Sequence, residues 1–319
     1  MTRQRIPDQV LAAAHARATA RAAGDWPEAD RLRTEIEAAG WKIVDRGTDF
    51  ALTPATPADV AEGGRIRYGS SQSVPSRFDE PSTGPATIVL IATDWPGDVA
   101  RALGGVRDSS PAGTSIVVVA DGPSPEQATA VEALETSAPT DVEVIWTSER
   151  LGHAAATNVG LRRTTGDIVI LLDTSIEPTG DVVTPMVAAL HDPTVAVAGP
   201  WGIVSSDLRT FVDAPPGDVD AIEGYLQAFR RSDAAARGPL DERFRFYRNL
   251  DIWWSLVLRD EAQDAAPRRA VAVGEVPAVR HEHRGYSSLP DAERDRQSKR
   301  NFYRIIDRFG SRRDLLVSR

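Results

Sequence analysis

The stretch Gly166-Asp-Ile-Val-Ile-Leu-Leu-Asp173 sets five consecutive apolar residues between a glycine-aspartate start and a terminal carboxylate. Such a run reads as a buried strand that delivers Asp173 to its carboxyl end. Working outward, Thr87–Ala92, Ser115–Ala120 and Val142–Trp146 repeat the strand signal. The helical patterns Asp98–Val106, Pro125–Thr136 and Gly152–Arg163 fall between them. Strands alternating with helices predict an α/β domain with a mostly parallel sheet. In such sheets ligands sit at the carboxyl ends of the strands, which is where Asp94, Asp121 and Asp173 stand.

Composition agrees with a packed protein. Of 319 residues 41% are apolar and 26% charged, enough for a core and too few charges for global disorder. There is no cysteine, which excludes disulfides and thiolate metal sites and fits a cytoplasmic protein. The N-terminus lacks the apolar stretch of a signal peptide, and no apolar run is long enough to span a bilayer. The net charge of −9 is uneven: residues 280–319 hold eleven Lys/Arg against six Asp/Glu. An acidic body argues against a nucleic-acid partner. The C-terminal stretch Asp291–Arg319 reads as a basic helix with Phe302, Ile305, Ile306 and Phe309 on one face; a solvated helix packed on the body is expected, with peripheral contact with a membrane or an anionic lipid-linked partner as the alternative.

Three segments are expected: a helical hairpin module over 1–53, a linker over 54–85 and the α/β domain over 86–319. In the first, residues 8–23 read as a helix. Asp25, Pro27 and Glu28 start a second helix, with Ala29, Leu32 and Ile36 on one face, and Gly40 ends it. Trp41–Val44 and Phe50–Thr53 read as a short hairpin. The run from Ala22 to Asp45 resembles the C-terminal helical module of cysteinyl-tRNA synthetases. That module helps bind tRNA, but eight basic and eight acidic residues through position 50 give no basic face here, and a structural or docking role is expected. Residues 54–85 are rich in Pro, Gly and Ser without periodicity, the composition of a mobile or surface-wrapping segment.

Six motifs follow one another in the last segment: Thr87–Asp94, Ile116–Ser124, Leu151–Gly160, Gly166–Asp173, Gly238-Pro-Leu-Asp-Glu-Arg-Phe244 and Phe246-Tyr-Arg-Asn-Leu-Asp251. Together they resemble family 2 glycosyltransferases of the GT-A fold. The resemblance implies a mostly parallel sheet flanked by helices. It implies transfer of a sugar, with inversion, from a nucleoside-diphosphate sugar to a glycan or lipid-linked acceptor, assisted by Mg²⁺ or Mn²⁺. It places nucleotide contacts at Thr93, Asp94, Asp121, Asn158 and Asp173.

The family writes Asp-x-Asp where this chain has Asp173-Thr174-Ser175, so metal ligation would fall to Asp173 and Ser175, completed by a histidine from His281-Glu-His283. One of those two is expected in the cleft, His281 being favoured; His15, His153 and His191 read as incidental. The family's catalytic carboxylate belongs to a Glu-Asp-x-Asp motif, and the aligned residues here are Arg248-Asn249-Leu250-Asp251. Asn249 occupies the base position, Asp251 is the surviving carboxylate, and Asp241 is a further candidate. Ala120, Thr157, Ser175 and Asn249 depart from the family pattern. Those departures keep open a non-catalytic member that retains the fold as a binding or scaffold module.

Overall fold

A computed structural model describes residues 6–47, 49–92, 94–137, 142–261 and 265–317, which fall into two compact units, Met1–Pro57 and Ala58–Arg319. In the first unit, α1 (Asp8–Ala22) and α2 (Trp26–Ala38) precede an antiparallel pair, β1 (Trp41–Arg46) and β2 (Asp49–Pro54). The Asp25 side chain caps α2 by accepting the Glu28 amide at 3.2 Å. Leu32 and Ile36 pack with Val10, Ala13, Ala14, Trp41 and Ile43 into a small core. Arg17 is buried against it and donates to both Asp45 oxygens, at 2.7 and 3.2 Å.

The second unit runs β3 (Val60–Glu62), β4 (Arg65–Tyr68), β5 (Gly84–Ala92), α3 (Pro96–Ser109), β6 (Ser115–Ala120), α4 (Pro125–Ser137), β7 (Val142–Thr147), α5 (His153–Arg162) and β8 (Gly166–Leu172). It continues through β9 (Ile176–Pro178), α6 (Val183–Ala189), β10 (Val195–Gly199), β11 (Gly202–Ser205), β12 (Phe211–Ala214), β13 (Gly217–Val219), β14 (Ala221–Ile222), β15 (Leu226–Arg230) and α7 (Arg231–Arg237). It ends with α8 (Leu250–Arg259), β16 (Arg269–Ala272), β17 (Ala278–Arg280), α9 (Arg284–Ser287) and α10 (Asp291–Phe309). The main sheet has the order β13-β16-β10-β15-β8-β5-β6-β7-β4-β3 among the described residues. Its centre, β8-β5-β6-β7-β4, is parallel, while β15 enters antiparallel beside β8. The α/β class and the mixed, mostly parallel sheet agree with the sequence reading.

Side chains alternate across this sheet as strand geometry requires. Val89, Val117, Val119 and Val169 join the core on the α5 and α8 face; Ile88, Leu90, Ile116, Val118, Ile168 and Ile170 join the core on the α3 and α6 face. Gly160 lets α5 lie close: a Cβ there would come within 2.4 Å of the Val89 Cγ1. The apolar stripe of α10 is used inside the unit, with Ile305 and Phe309 buried. Among the described residues no helix is long and apolar enough to cross a membrane.

Residues 54–85 differ from the expected linker. β3 and β4 extend the main sheet, β4 pairing parallel with β7, and the guanidinium groups of Arg65 and Arg67 lie over the Trp146 ring at 4.3 and 5.1 Å. The stretch after β4 is tied down through its backbone. Arg162 Nε donates to the Val74 carbonyl at 2.6 Å, the Arg77 amide to the Arg162 carbonyl at 2.8 Å, and the Thr83 amide to the Thr165 carbonyl at 2.9 Å. Arg231, itself buried, reaches the carbonyls of Thr164 at 2.9 Å, Glu80 at 3.0 Å and Arg77. A segment without apolar periodicity is thus ordered by arginines distant in sequence.

Replacing Arg231 by alanine leaves the buried Thr164 carbonyl and the carbonyls of Arg77 and Glu80 without their charged donor. The unfolding free energy from urea titration is expected to fall by about 3 kcal/mol, with new protease cleavage between residues 74 and 83. A loss below about 1 kcal/mol would refute the anchoring role.

Candidate active site

A cavity of about 630 Å³ opens beside the carboxyl end of β8, lined among others by His153, Asp173, Glu223, Tyr225, Tyr247, Arg248, Asn249, Asp251, Trp254, His283 and Tyr286. Asp173 is placed by the strand and locked by its own turn. Its amide donates to the Tyr225 carbonyl at 3.0 Å, and its Oδ1 accepts the Ser175 amide at 2.8 Å and the Ser175 hydroxyl at 2.5 Å. The chain then enters β9, which pairs antiparallel with β17. That pairing carries the segment after Arg280 back to Asp173, and His283 Nε2 lies 3.2 Å from Asp173 Oδ2.

Burial alone would push the Asp173 carboxyl up. The hydrogen bond and charge of His283, with two bonds from Ser175, outweigh burial and hold the carboxyl below its usual value. The same pair works in reverse on the imidazole: burial pulls His283 down, and Asp173 brings it above its usual value. Tyr247 stacks on the His283 ring at 4.2 Å and 18°, and Tyr225 meets its edge at 6.4 Å. His153 sits edge-on to Tyr247 at 5.9 Å. Burial, its largest influence, lowers it to about 4, so it is neutral near pH 7.

On the wall formed by the start of α8, Asp251 Oδ2 accepts the Gly224 amide at 2.8 Å and Oδ1 its neighbour Ile252 at 2.9 Å. Burial nevertheless pushes its carboxyl up. Glu223 is also raised, by burial first, and pairs with Arg280 at 3.5 Å. A raised carboxylate in a cleft is the environment in which proton transfer is useful near neutral pH.

The residues expected from sequence divide into two sets. Asp173, Asn249 and Asp251 line the cavity. Asp94, Asp121, Asn158, Ser175, Asp241 and His281 do not, and Thr93 lies outside the described residues. His281 is the clearest correction: its Nε2 meets Glu177 Oε2 at 2.6 Å, and His283 takes the cleft position. The extended chain ends at Arg280, and His283 caps the short helix α9, so the two rings separate. Ser175 turns both its amide and its hydroxyl on Asp173, so its polar groups support that carboxylate rather than point outward.

Asp121 accepts the Leu151 amide at 2.7 Å, the Gly152 amide at 3.1 Å and the Thr147 hydroxyl at 3.2 Å, bracing the entry to α5. Gly122 is required beside it, with φ of 51° and room so tight that a Cβ would come within 2.3 Å of the Arg150 amide. The side-chain amide of Asn158 bonds the Leu240 carbonyl at 2.9 Å, Glu242 at 3.0 Å and the Leu240 amide at 2.8 Å, fixing the loop before α8. Asp241 is clamped by Arg243, at 2.6 Å from Nη2. Arg150 holds both oxygens of Asp94, at 2.6 and 2.7 Å. His153, Glu223, Tyr225, Tyr247 and Tyr286 were not singled out by sequence. His153 carried one usable signal, its place directly after Gly152 at the start of a helix.

The family model described as Glycosyl transferase family 2 matches residues 87–249, half of the chain. Two solved structures share the fold. The crystal structure of GalNAc-T7 with UDP, GalNAc and Mn²⁺ has a TM-score of 0.57 at 15% identity, over 70% of this chain and 48% of that one. The mannosyltransferase PcManGT from Pyrobaculum calidifontis, in complex with GDP-Man and Mn²⁺, has a TM-score of 0.53 at 18% identity, over 76% and 71%. A curated cysteine–tRNA ligase of Opitutus terrae is 46% identical over 50 residues, 16% of this chain and 11% of that protein. The chain thus spans about half the length of the first structure and a small part of the ligase.

The bonds of Asp121 give a stability test. Asp121→Ala removes the acceptor of the buried Leu151 amide and the half-buried Gly152 amide, and an unfolding free energy lower by about 2–4 kcal/mol is expected in denaturant titration. A variant as stable as the parent would show that those bonds do not hold the α5 entry.

Proposed function

The chain belongs to glycosyl transferase family 2, and on that premise we propose that it moves a sugar from a nucleoside-diphosphate sugar to a hydroxyl of a glycan or lipid-linked acceptor, with inversion, in the cytoplasm. The observation that carries this reading is the meeting of Asp173 and His283 on the wall of a cavity that Asp251 also lines. A carboxylate oxygen and an imidazole nitrogen converging on one point are a donor set that suits Mn²⁺ or Mg²⁺, and a cation there would take the place of the proton they now share. When bound, that cation neutralises charge on the departing diphosphate. Both solved structures named above contain Mn²⁺ with a nucleotide or nucleotide sugar, which supports the same reading.

The chain's own groups then have separable tasks. Ser175 orients the Asp173 carboxylate, and the stacked Tyr247 holds the plane of His283. Asp251 takes the proton of the acceptor hydroxyl as its oxygen attacks the anomeric carbon, and the bond to the diphosphate breaks with its electron pair leaving on the nucleotide. Asn249 has no basic group and contributes a hydrogen bond to the Ser298 carbonyl at 3.1 Å. The tyrosine rings around the site offer faces for a sugar.

Titration with UDP, GDP and dTDP tests the reading. Affinity for one of them is expected to rise about tenfold or more with Mn²⁺, Asp173→Ala removing the rise, His283→Ala reducing it and His281→Ala leaving it in place. The absence of any diphosphate binding, with or without Mn²⁺, would sink the proposal.

Asp251→Asn is expected to lower transfer by about 10²–10⁴-fold with nucleotide affinity unchanged. Because burial raises this carboxyl, the rate should fall on acidification from a pH above the ordinary aspartate range. Retention of full activity in the asparagine variant would remove Asp251 from the role of base.

A further inference from the structure

Two arginines line the cavity with no carboxylate at ion-pair distance among the described residues: Arg209 and Arg248. Arg209 lies in the turn between β11 and β12, where the Asp207 carboxylate accepts the amides of Arg209 and Thr210 at 2.7 and 2.9 Å. The turn is held by its backbone while the guanidinium remains exposed. Arg248 stands before α8. Its carbonyl accepts Asn301 at 2.9 Å, and its guanidinium lies over the Tyr286 ring at 5.3 Å, also exposed.

Other cations of the region are matched. Arg280 stacks on Tyr225 at 3.9 Å and meets Glu223, and His283 meets Asp173. Three of the lining carboxylates are likewise engaged: Asp173 by Ser175 and His283, Glu223 by Arg280, Asp251 by two amides. Asp213 on β12 also lines the cavity; its backbone pairs with Ile203, and its charge helps raise Glu223. In the same wall the buried indole Nε1 of Trp254 has no hydrogen-bond acceptor among the described residues. The positive charge of Arg248 reaches both Asp251 and Glu223, drawing each carboxyl down against its burial. The wall beside the candidate base therefore carries two guanidinium groups with no ion-pair partner among the described residues.

Resting on the transfer reading of this cavity, we propose that the acceptor carries an anionic group, a carboxylate or a phosphate, which Arg248 and Arg209 bind while its hydroxyl faces Asp251. The planar guanidinium fork matches either anion through two parallel N–H bonds. Arg248 lies three residues before Asp251, so an anion held by it sets the distance between the acid group and the reacting hydroxyl. The proton of that hydroxyl passes to Asp251 and the anion keeps its charge throughout. Because both guanidinium groups are exposed, the attraction is modest and weakens with salt.

D-glucuronate, inorganic phosphate and D-glucose are titrated into the full chain, in the presence of Mn²⁺ and the nucleoside diphosphate that it binds. Glucuronate or phosphate is expected to bind where glucose at the same concentration does not, and which of the two binds tells carboxylate from phosphate. Arg248→Gln and Arg209→Gln should each weaken the anion about fivefold, with nucleotide affinity unchanged. Equal binding of glucose, no binding of either anion, or binding that both variants leave unaltered overturns the proposal. So does a loss of nucleotide affinity in Arg248→Gln, which would give that arginine to the donor diphosphate. Failure of the parent chain to bind any nucleoside diphosphate is a different result, and it defeats the transfer reading instead.

Discussion

Asp173 stands at the end of a strand whose residues are among the most buried in the molecule, and its carboxylate can stay charged there only if donors reach it. Much of the local architecture serves that need. The turn after β8 folds so that Ser175 supplies two bonds, and β9 pairs with β17 so that the returning chain supplies His283. The aromatic groups follow, because an imidazole brought to that carboxylate must itself be covered, and Tyr247 and Tyr225 cover it. A second network outside the cavity fixes the same segment from behind. His281 holds Glu177, and Arg284 lies 3.6 Å from the buried Asp98, one clamp on each side of His283. The cavity chemistry thus depends on where a peripheral two-stranded sheet returns the chain.

The same rule, that buried polar groups need partners, explains what several residues expected to touch a nucleotide do within the protein. Asp121 and Asn158 sit where strands and helices end, and a motif cannot reveal whether a carboxylate or amide at such a place faces outward or ties two loops together. Here Asp121 accepts three donors and Asn158 makes three bonds, so each ties two segments of the chain together. Through these bonds they shape the entry to α5 and the loop that leads to α8.

The framework was legible because its signals are local. The continuous apolar runs of β5, β6 and β8, which feed the cores on both faces of the sheet, are written in adjacent residues. The stretch from 74 to 83 was not legible, because its order comes from Arg162, Arg163 and Arg231 bonding its carbonyls across long separations. Carbonyls are present at every position, so no side-chain pattern announces them. The choice between His281 and His283 failed for a related reason: it turns on the residue at which an extended segment becomes helical, a boundary that pairing with β9 decides.

Asn249 shows how a replaced motif residue can still be constrained. Its φ is 69°, a left-handed conformation at the head of α8 that asparagine tolerates better than most residues. From there its carbonyl accepts the Trp253 amide at 3.1 Å, and its side chain reaches the Ser298 carbonyl on α10. The residue therefore meets a backbone requirement and joins two helices, neither of which needs a carboxylate. Asp251, two positions on, points to the amide of Gly224, where a Cβ would lie only 3.1 Å from the Asp251 Cβ. The small residue at 224 is what lets the carboxylate approach that backbone and remain on the cavity wall. The left-handed start of the helix and the glycine opposite it act together, and they account for a carboxylate standing at the cavity in a chain that has lost one from the usual place.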